Sequence, residues 1–283
     1  MGRALVIRND GPIWTALHGG QLRGHDIDRC GGDVEALQLV RQRPFDVVLT
    51  AAETPISEDL ALAEELRAIR SGLRIIVLAP AATHDELISA VRAHVFACFT
   101  PPFDPGAIAD MMRSALNASH WRDDLEVVSA LPHWFTLRVS CHLLTADRLV
   151  RFLTEHLTVL PDDVRDLVLA AFREMLLNAM EHGAGFDPTK AVEVTAARTS
   201  RAIVYYVRDP GGGFDRGALS RATASAERDE IVATAMRRAE LGLRPGGFGM
   251  LIARQVADEL VYNERGNEVL MVKYLDRLGS AVT

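Results

Sequence analysis

The chain has 283 residues, more than one compact core ordinarily holds, so two domains are expected. Its 48% hydrophobic and 24% charged residues are those of a folded globular protein rather than a disordered one. A net charge of −7 argues against a nucleic-acid platform, and no apolar run approaches the roughly 18 residues a membrane helix needs. The opening MGRALVIRND meets charge too early for a secretory signal. The cysteines Cys30, Cys98 and Cys141 are odd in number, far apart and without metal-ligand spacing, as expected of reduced thiols in the cytoplasm. The two lysines, Lys190 and Lys273, follow no glycine run, so a P-loop is excluded. Phosphate chemistry in this chain must use backbone amides, arginine or a metal.

In chain order, RALVIR (3–8), FDVVLT (45–50) and LRIIVLA (73–79) are short β-branched runs, with helical periodicity between them at 33–42 and 58–70. Helix 84–93, a short strand at 95–99 and helix 104–117 follow. Strands alternating with helices of this length predict a flavodoxin-like parallel α/β domain over 1–118.

This half resembles the receiver domain of two-component response regulators. The resemblance is carried by FDVVL followed by Pro55, by IIVLA (75–79) and by FTPPFDP (99–105). Each position that does chemistry departs from the family. The acidic pair that binds magnesium falls at Arg8 and Asn9, the phosphoacceptor aspartate at Ala51, the switch Ser/Thr at Ala79 and the lysine at Pro101. Alanine cannot accept a phosphoryl group, and arginine repels the magnesium that transfer requires. The expectation is a pseudo-receiver that is not phosphorylated in the usual way. Asp10, Glu53 and Asp104 are read as solvated loop carboxylates.

At the join, Ile108, Met111, Met112, Ala115 and Leu116 form a helical stripe. A helical linker is expected over 119–133, a rod that suits a homodimer, with the second domain at 134–283 opening on the strand FTLRVSC. His120, His133 and His142 lie near the join, none within a His-Glu/Asp-x-x-x-Pro box.

The segment 162–183, DDVRDLVLAAFREMLLNAMEHG, predicts a helix capped by Asp162 or Asp163 and stopped at Gly183, burying Val164, Leu167, Val168, Ala171 and Met175. Glu174 and Asn178 share a neighbouring face with Glu181 or His182, so a carboxylate and a carboxamide stand one turn apart. RAIVYYVRDPGGGFD then sets Asp209 and a glycine run after a strand, without satisfying a dinucleotide fingerprint. RPGGFGM sets Gly246, Gly247 and Gly249 before an amphipathic helix, whose N-terminal amides suit an anion. VYNERGNEVLMVKYL reads as a hairpin turning at 264–267.

In order, E-x-x-x-N-A-x-x-H-G, D-P-G-x-G-F and G-G-F-G-M resemble the GHKL ATPase superfamily, and within it the anti-sigma-factor serine kinases of bacterial partner switching. The resemblance covers about 134–276 and implies an α+β Bergerat-type domain, a mixed sheet layered with helices. It implies ATP and Mg2+ as cofactors, with Asn178 coordinating the metal and Glu174 as general base on a serine hydroxyl. Asp209 would accept the adenine amino group. Gly211 and Gly213 would let the backbone approach the base, and Gly247 and Gly249 the phosphates. The insert 214–246, with Arg216, Arg237, Arg238 and Arg244, would be the ATP lid. A glutamate at 174 favours a serine kinase, because a hydroxyl needs a proton acceptor where an imidazole does not. The implied substrate is a STAS-type anti-anti-sigma protein, with a sigma factor or other regulator as competing partner. Two alternatives stay open: a non-catalytic ATP-binding module that sequesters its partner, and a histidine-kinase-like remnant acting on one of the three histidines.

Overall fold

The computed structural model describes residues 2–9, 11–118, 124–158, 160–213 and 253–276. The chain divides into two compact units: Met1–Asp123 with Arg151–His156, and Asp124–Val150 with Leu157–Thr283.

In the first unit, β1 (Arg3–Ile7), β2 (Asp26–Cys30), β3 (Val47–Leu49), β4 (Arg74–Leu78) and β5 (Ala97–Phe99) form a parallel sheet in the order β2-β1-β3-β4-β5. That is the doubly wound flavodoxin-like order. The central strands are buried almost end to end, as a sheet covered on both faces requires. Connecting helices are α1 (Pro12–Ala16), α2 (Asp33–Gln42), α3 (Ile56–Ile69), α4 (His84–Arg92) and α5 (Pro105–Asn117). β2 is absent from the strands legible in the sequence. It is an edge strand, DIDRC, with charge at Asp26, Asp28 and Arg29, so it carries no apolar alternation.

The carboxyl ends of β1 and β3, where this fold ordinarily binds its ligand, hold no phosphoacceptor carboxylate among the described residues. Ala51 and Ala79 are buried, and Pro101 is exposed. Arg8, at φ 47°, pairs with Asp33 at 3.3 Å. Asn9 is buried and donates to the carbonyls of Ile7 (3.0 Å) and Thr50 (2.7 Å). Glu53 is exposed and Asp10 lies outside the described residues. Asp104 is not a free loop carboxylate: it is the N-cap of α5, accepting from the Gly106 amide at 2.8 Å.

The second unit layers helices on a six-stranded sheet in the order β10-β11-β9-β8-β7-β6. Its strands are β6 (Leu125–Leu131), β7 (Trp134–Ser140), β8 (Ala191–Arg198), β9 (Ala202–Arg208), β10 (Glu259–Tyr262) and β11 (Glu268–Tyr274). Every described pairing is antiparallel, where a mixed sheet was expected. Residues 125–131, expected within a helical linker, are instead β6, because the β7 hairpin captures them. A bulge between Val127 and Ser129 interrupts that pairing. Asp124 anchors the start of β6 from a nearly buried position, accepting from Thr145 Oγ1 (3.0 Å) and pairing with the buried Arg148.

One row of side chains crosses five strands with alternating charge: Glu126, Arg138, Glu193, Arg208, Glu268. The Arg138–Glu126 and Arg208–Glu268 separations are 3.6 and 3.7 Å. Each exposed pair is individually weak. Together they favour this register, because a slip would separate each charge from its opposite partner.

Helix α6 (Leu143–His156) precedes α7 (Asp162–Asn178). Pro161 occupies the N-cap of α7 without a side-chain bond, so Asp162 and Asp163 lie in its first turn rather than capping it. Val168, Ala171, Phe172, Met175 and Leu176 are buried, with the Phe172 ring 4.7 Å from that of Tyr205 on β9. Leu167 does not join this stripe; it is 52% exposed, because the buried face of α7 runs through Leu169 and Phe172 instead.

In the first unit, Asp59 of α3 is 2% exposed. It accepts from Thr50 Oγ1 at 2.9 Å, while that same hydroxyl accepts from the Leu78 amide at 3.1 Å. Burial pushes the Asp59 carboxyl up to about 7, against hydrogen bonds from Thr50 and Thr54 that pull it down. A carboxyl raised in the folded state contributes stability that is complete below its unfolded pKa and lost as pH rises through about 7. Urea unfolding of the full chain should therefore show a loss of about 2 kcal/mol between pH 5 and pH 8. Asp59→Asn should remove that loss, and an unchanged pH dependence in the variant would contradict the assignment.

Candidate nucleotide site at the ends of α7 and β9

The site is built where α7 and β9 end. After Asn178 the helix widens into one π turn, Ala179–Gly183, a feature frequent at functional sites. Glu174 and Asn178 lie four residues apart on α7, so they share a face, and both are half-buried. Glu181 is half-buried and His182 exposed within the widened turn.

On β9, Ile203, Tyr205 and Val207 are buried on the side that meets α7. Strand alternation places Asp209 on that same side. Its amide donates to the Asn267 carbonyl at 3.0 Å, which extends the β9–β11 ladder by one step past β9. Asp209 Oδ1 accepts from the Gly211 amide at 2.8 Å, and Oδ2 accepts no hydrogen bond among the described residues. Burial raises the Asp209 carboxyl above its ordinary value, opposed by the Gly211 amide.

Two glycines make this placement sterically possible. A Cβ on Gly183 would sit 2.2 Å from Asp209 Cγ, and one on Gly211 would sit 2.8 Å from both Asp209 Oδ1 and the Gly183 carbonyl. The helix terminus and the end of β9 are thus in direct contact. Gly213, at φ +84°, lies against the Arg265 carbonyl, where a Cβ would come within 1.8 Å.

Three site features escape sequence reasoning. Gly183 reads there only as a helix stop, yet it makes room for Asp209. Asn263 and Asn267 hold the opposite wall. Asn263 Oδ1 accepts from the amides of Gly266 (2.8 Å), Asn267 (3.1 Å) and Glu268 (3.2 Å), and Asn267 Nδ2 reaches the Asp209 carbonyl at 3.4 Å. The available signal was an asparagine opening the turn NERGN.

Gly247, Gly249, Arg244 and the rest of the expected lid, with Arg216, Arg237 and Arg238, lie outside the described residues, as does His120. His133 is exposed and its carbonyl accepts from the Arg198 amide. His142 Nδ1 accepts from the Leu144 amide at 3.2 Å, at the start of α6. Among the described residues, no group of three or more His, Cys, Asp or Glu could hold a metal ion. A magnesium ion held by one amide oxygen, substrate phosphates and water needs no such group, so the Asn178 carboxamide remains a fitting hard donor.

Gly183→Ala should cost about 1–3 kcal/mol in thermal unfolding, because the new methyl must displace Asp209. Gly212→Ala, whose added carbon meets nothing within 4 Å among the described residues, should stay within about 0.5 kcal/mol of the parent. Equal effects at the two positions would refute the close approach.

No curated protein sequence matches the chain. Several solved structures are similar to part of it. A putative pilus assembly-related protein of Burkholderia pseudomallei is 24% identical, covering 44% of this chain and 95% of its own, at a TM-score of 0.36. A CheY-like response regulator receiver domain protein of Methanospirillum hungatei is 19% identical, covering 41% and 94%, also at 0.36. The HemR receiver domain of Leptospira biflexa is 18% identical, covering 43% and 99%, at 0.38. The first unit itself has the flavodoxin-like strand order set out above. Residues 141–273, which run from α6 through α7 and β8–β11 and include Asp209 and its wall, match the family model described as a histidine kinase-like ATPase domain. Residues 141–273 are thus similar to histidine kinase-like ATPase domains.

Proposed function

We propose that the chain is a cytoplasmic Mg-ATP-dependent protein serine/threonine kinase of the anti-sigma-factor type. Its substrate in this reading is a STAS-type anti-anti-sigma protein, and a sigma factor or another regulator competes for the same kinase. The observation that carries the reading is Glu174 one turn before Asn178 on a half-buried helix face, in a unit whose Asp209 keeps one carboxylate oxygen free of described partners.

In this mechanism Asp209 Oδ2 accepts a hydrogen bond from the adenine amino group. Gly183 and Gly211, having no Cβ, let the end of α7 close on Asp209 and so keep that carboxylate in place for the base. Asn178 would hold a magnesium ion through its carboxamide oxygen, and that ion would supply neutralisation of the triphosphate charge. Glu174 takes the proton from the substrate serine hydroxyl as its oxygen attacks the γ-phosphorus and ADP leaves. A hydroxyl benefits from such a base because its own pKa is far above the working pH. Gly247, Gly249 and Arg244 complete the phosphate side of the reading.

Labelled phosphate should pass from Mg-ATP to a cognate STAS protein with the parent chain and not with Glu174→Ala, which should still bind ATP. Equal transfer by the variant would remove Glu174 from the mechanism. A stoichiometric complex without phosphoprotein would favour partner sequestration instead.

Asp209→Asn should weaken ATP binding by about 1–3 kcal/mol in calorimetry. The raised carboxyl of Asp209 protonates earlier than an ordinary aspartate as pH falls, and the protonated group is a poorer acceptor. ATP affinity of the parent should therefore decline on the acid side, and the variant should lack that decline. An Asp209→Asn chain that binds ATP like the parent would contradict the adenine contact.

A further inference from the structure

Asp209 stands one residue past β9, where a chain is free to leave its sheet. The β10–β11 turn prevents this from three directions. The Asp209 amide donates to the Asn267 carbonyl (3.0 Å), and the Asp209 carbonyl accepts from Asn267 Nδ2 (3.4 Å). Four residues on, Gly213 rests against the Arg265 carbonyl of the same turn. Asn267 is itself 8% exposed and held by a second asparagine, for Asn263 Nδ2 donates to Asn267 Oδ1 at 2.9 Å.

Asn263 does more than close a turn. Its Oδ1 accepts three consecutive amides, those of Gly266, Asn267 and Glu268, while its Nδ2 fixes the Asn267 side chain. A turn of this kind needs only one such side-chain bond. The surplus is spent on the residue that touches Asp209. A chain of hydrogen bonds therefore runs from Asn263 through Asn267 to the Asp209 peptide, and leaves the Asp209 Oδ2 atom unengaged among the described residues.

We propose that Asn263 and Asn267 are positioning residues that set the aim of Asp209 and, through it, the preference for adenine over guanine. The proposal rests on the adenine-binding role given to Asp209 above. A carboxylate oxygen held in one place accepts from the amino group of adenine. Guanine presents a carbonyl at the same position, leaving acceptor against acceptor. Discrimination of this kind depends on a fixed polar group, because a mobile carboxylate can turn away from the wrong base.

Calorimetric titration of the full chain with Mg-ATP and with Mg-GTP tests this, with circular dichroism confirming that each variant is folded. The parent should prefer ATP. Asn263→Ala should lower ATP affinity about tenfold and leave GTP affinity unchanged, narrowing the preference, whereas general loss of order would weaken both nucleotides alike. Asn267→Ala keeps the three bonds to Asn263 Oδ1 and deletes the donor to the Asp209 carbonyl together with the acceptor for Asn263 Nδ2. It should narrow the preference about threefold, and it decides the question alone if Asn263→Ala does not fold. Variants that keep the parental ATP-to-GTP ratio, or that lose both nucleotides equally, would overturn the positioning role while leaving the adenine contact intact. A parent chain that binds neither nucleotide would instead reject the adenine contact of Asp209, on which the positioning role depends.

Discussion

The architecture of the second unit converges on the peptide of Asp209. One extra rung on the β9–β11 ladder, from the Asp209 amide to the Asn267 carbonyl, keeps a carboxylate on the helix side of the sheet. The rung would serve nothing if α7 could not come close, and α7 comes close because its last turn widens and ends in a residue with no side chain. Backbone pairing, helix termination and the absence of a Cβ at Gly183 are therefore one constraint. The Phe172–Tyr205 contact sets the height of the helix above the sheet, and the glycine contact sets where the helix stops.

The first unit has the flavodoxin-like strand order, and the ends of its central strands are packed rather than open. Ala51 and Ala79 are buried, and Asn9 donates its carboxamide to the carbonyls of Ile7 and Thr50. Thr50 and Asp59 tie β3, β4 and α3 together through a hydroxyl that both donates and accepts. The polar groups at this end of the sheet are thus satisfied within the unit's own packing.

The sequence made legible those features that depend on local pattern. Apolar runs located β1, β3, β4 and β5, periodicity located α2 to α5, and NERGN announced the β10–β11 hairpin. β2 was illegible because an edge strand with Asp26, Asp28 and Arg29 needs no apolar face. β6 was illegible because its identity comes from pairing with β7 rather than from its own alternation. At the site, residue types marked Glu174, Asn178 and Asp209 as candidates. No pattern could reveal that Gly183 touches Asp209, or that Asn267 holds it, since both contacts join segments distant in the chain.

The bulge on β6 and the carboxylate of Glu126 bear on solubility. β6 is the outermost strand of its sheet among the described residues, with Val128 and Leu131 more than half exposed. Such an edge invites another molecule to add a strand. The Val127/Ser129 irregularity breaks the even spacing a foreign strand would require. Glu126 ends the row of alternating charge on an acid, so an identical edge approaching it meets like charge. The row that favours the register of five strands thus also acts as a gatekeeper against fibrous growth.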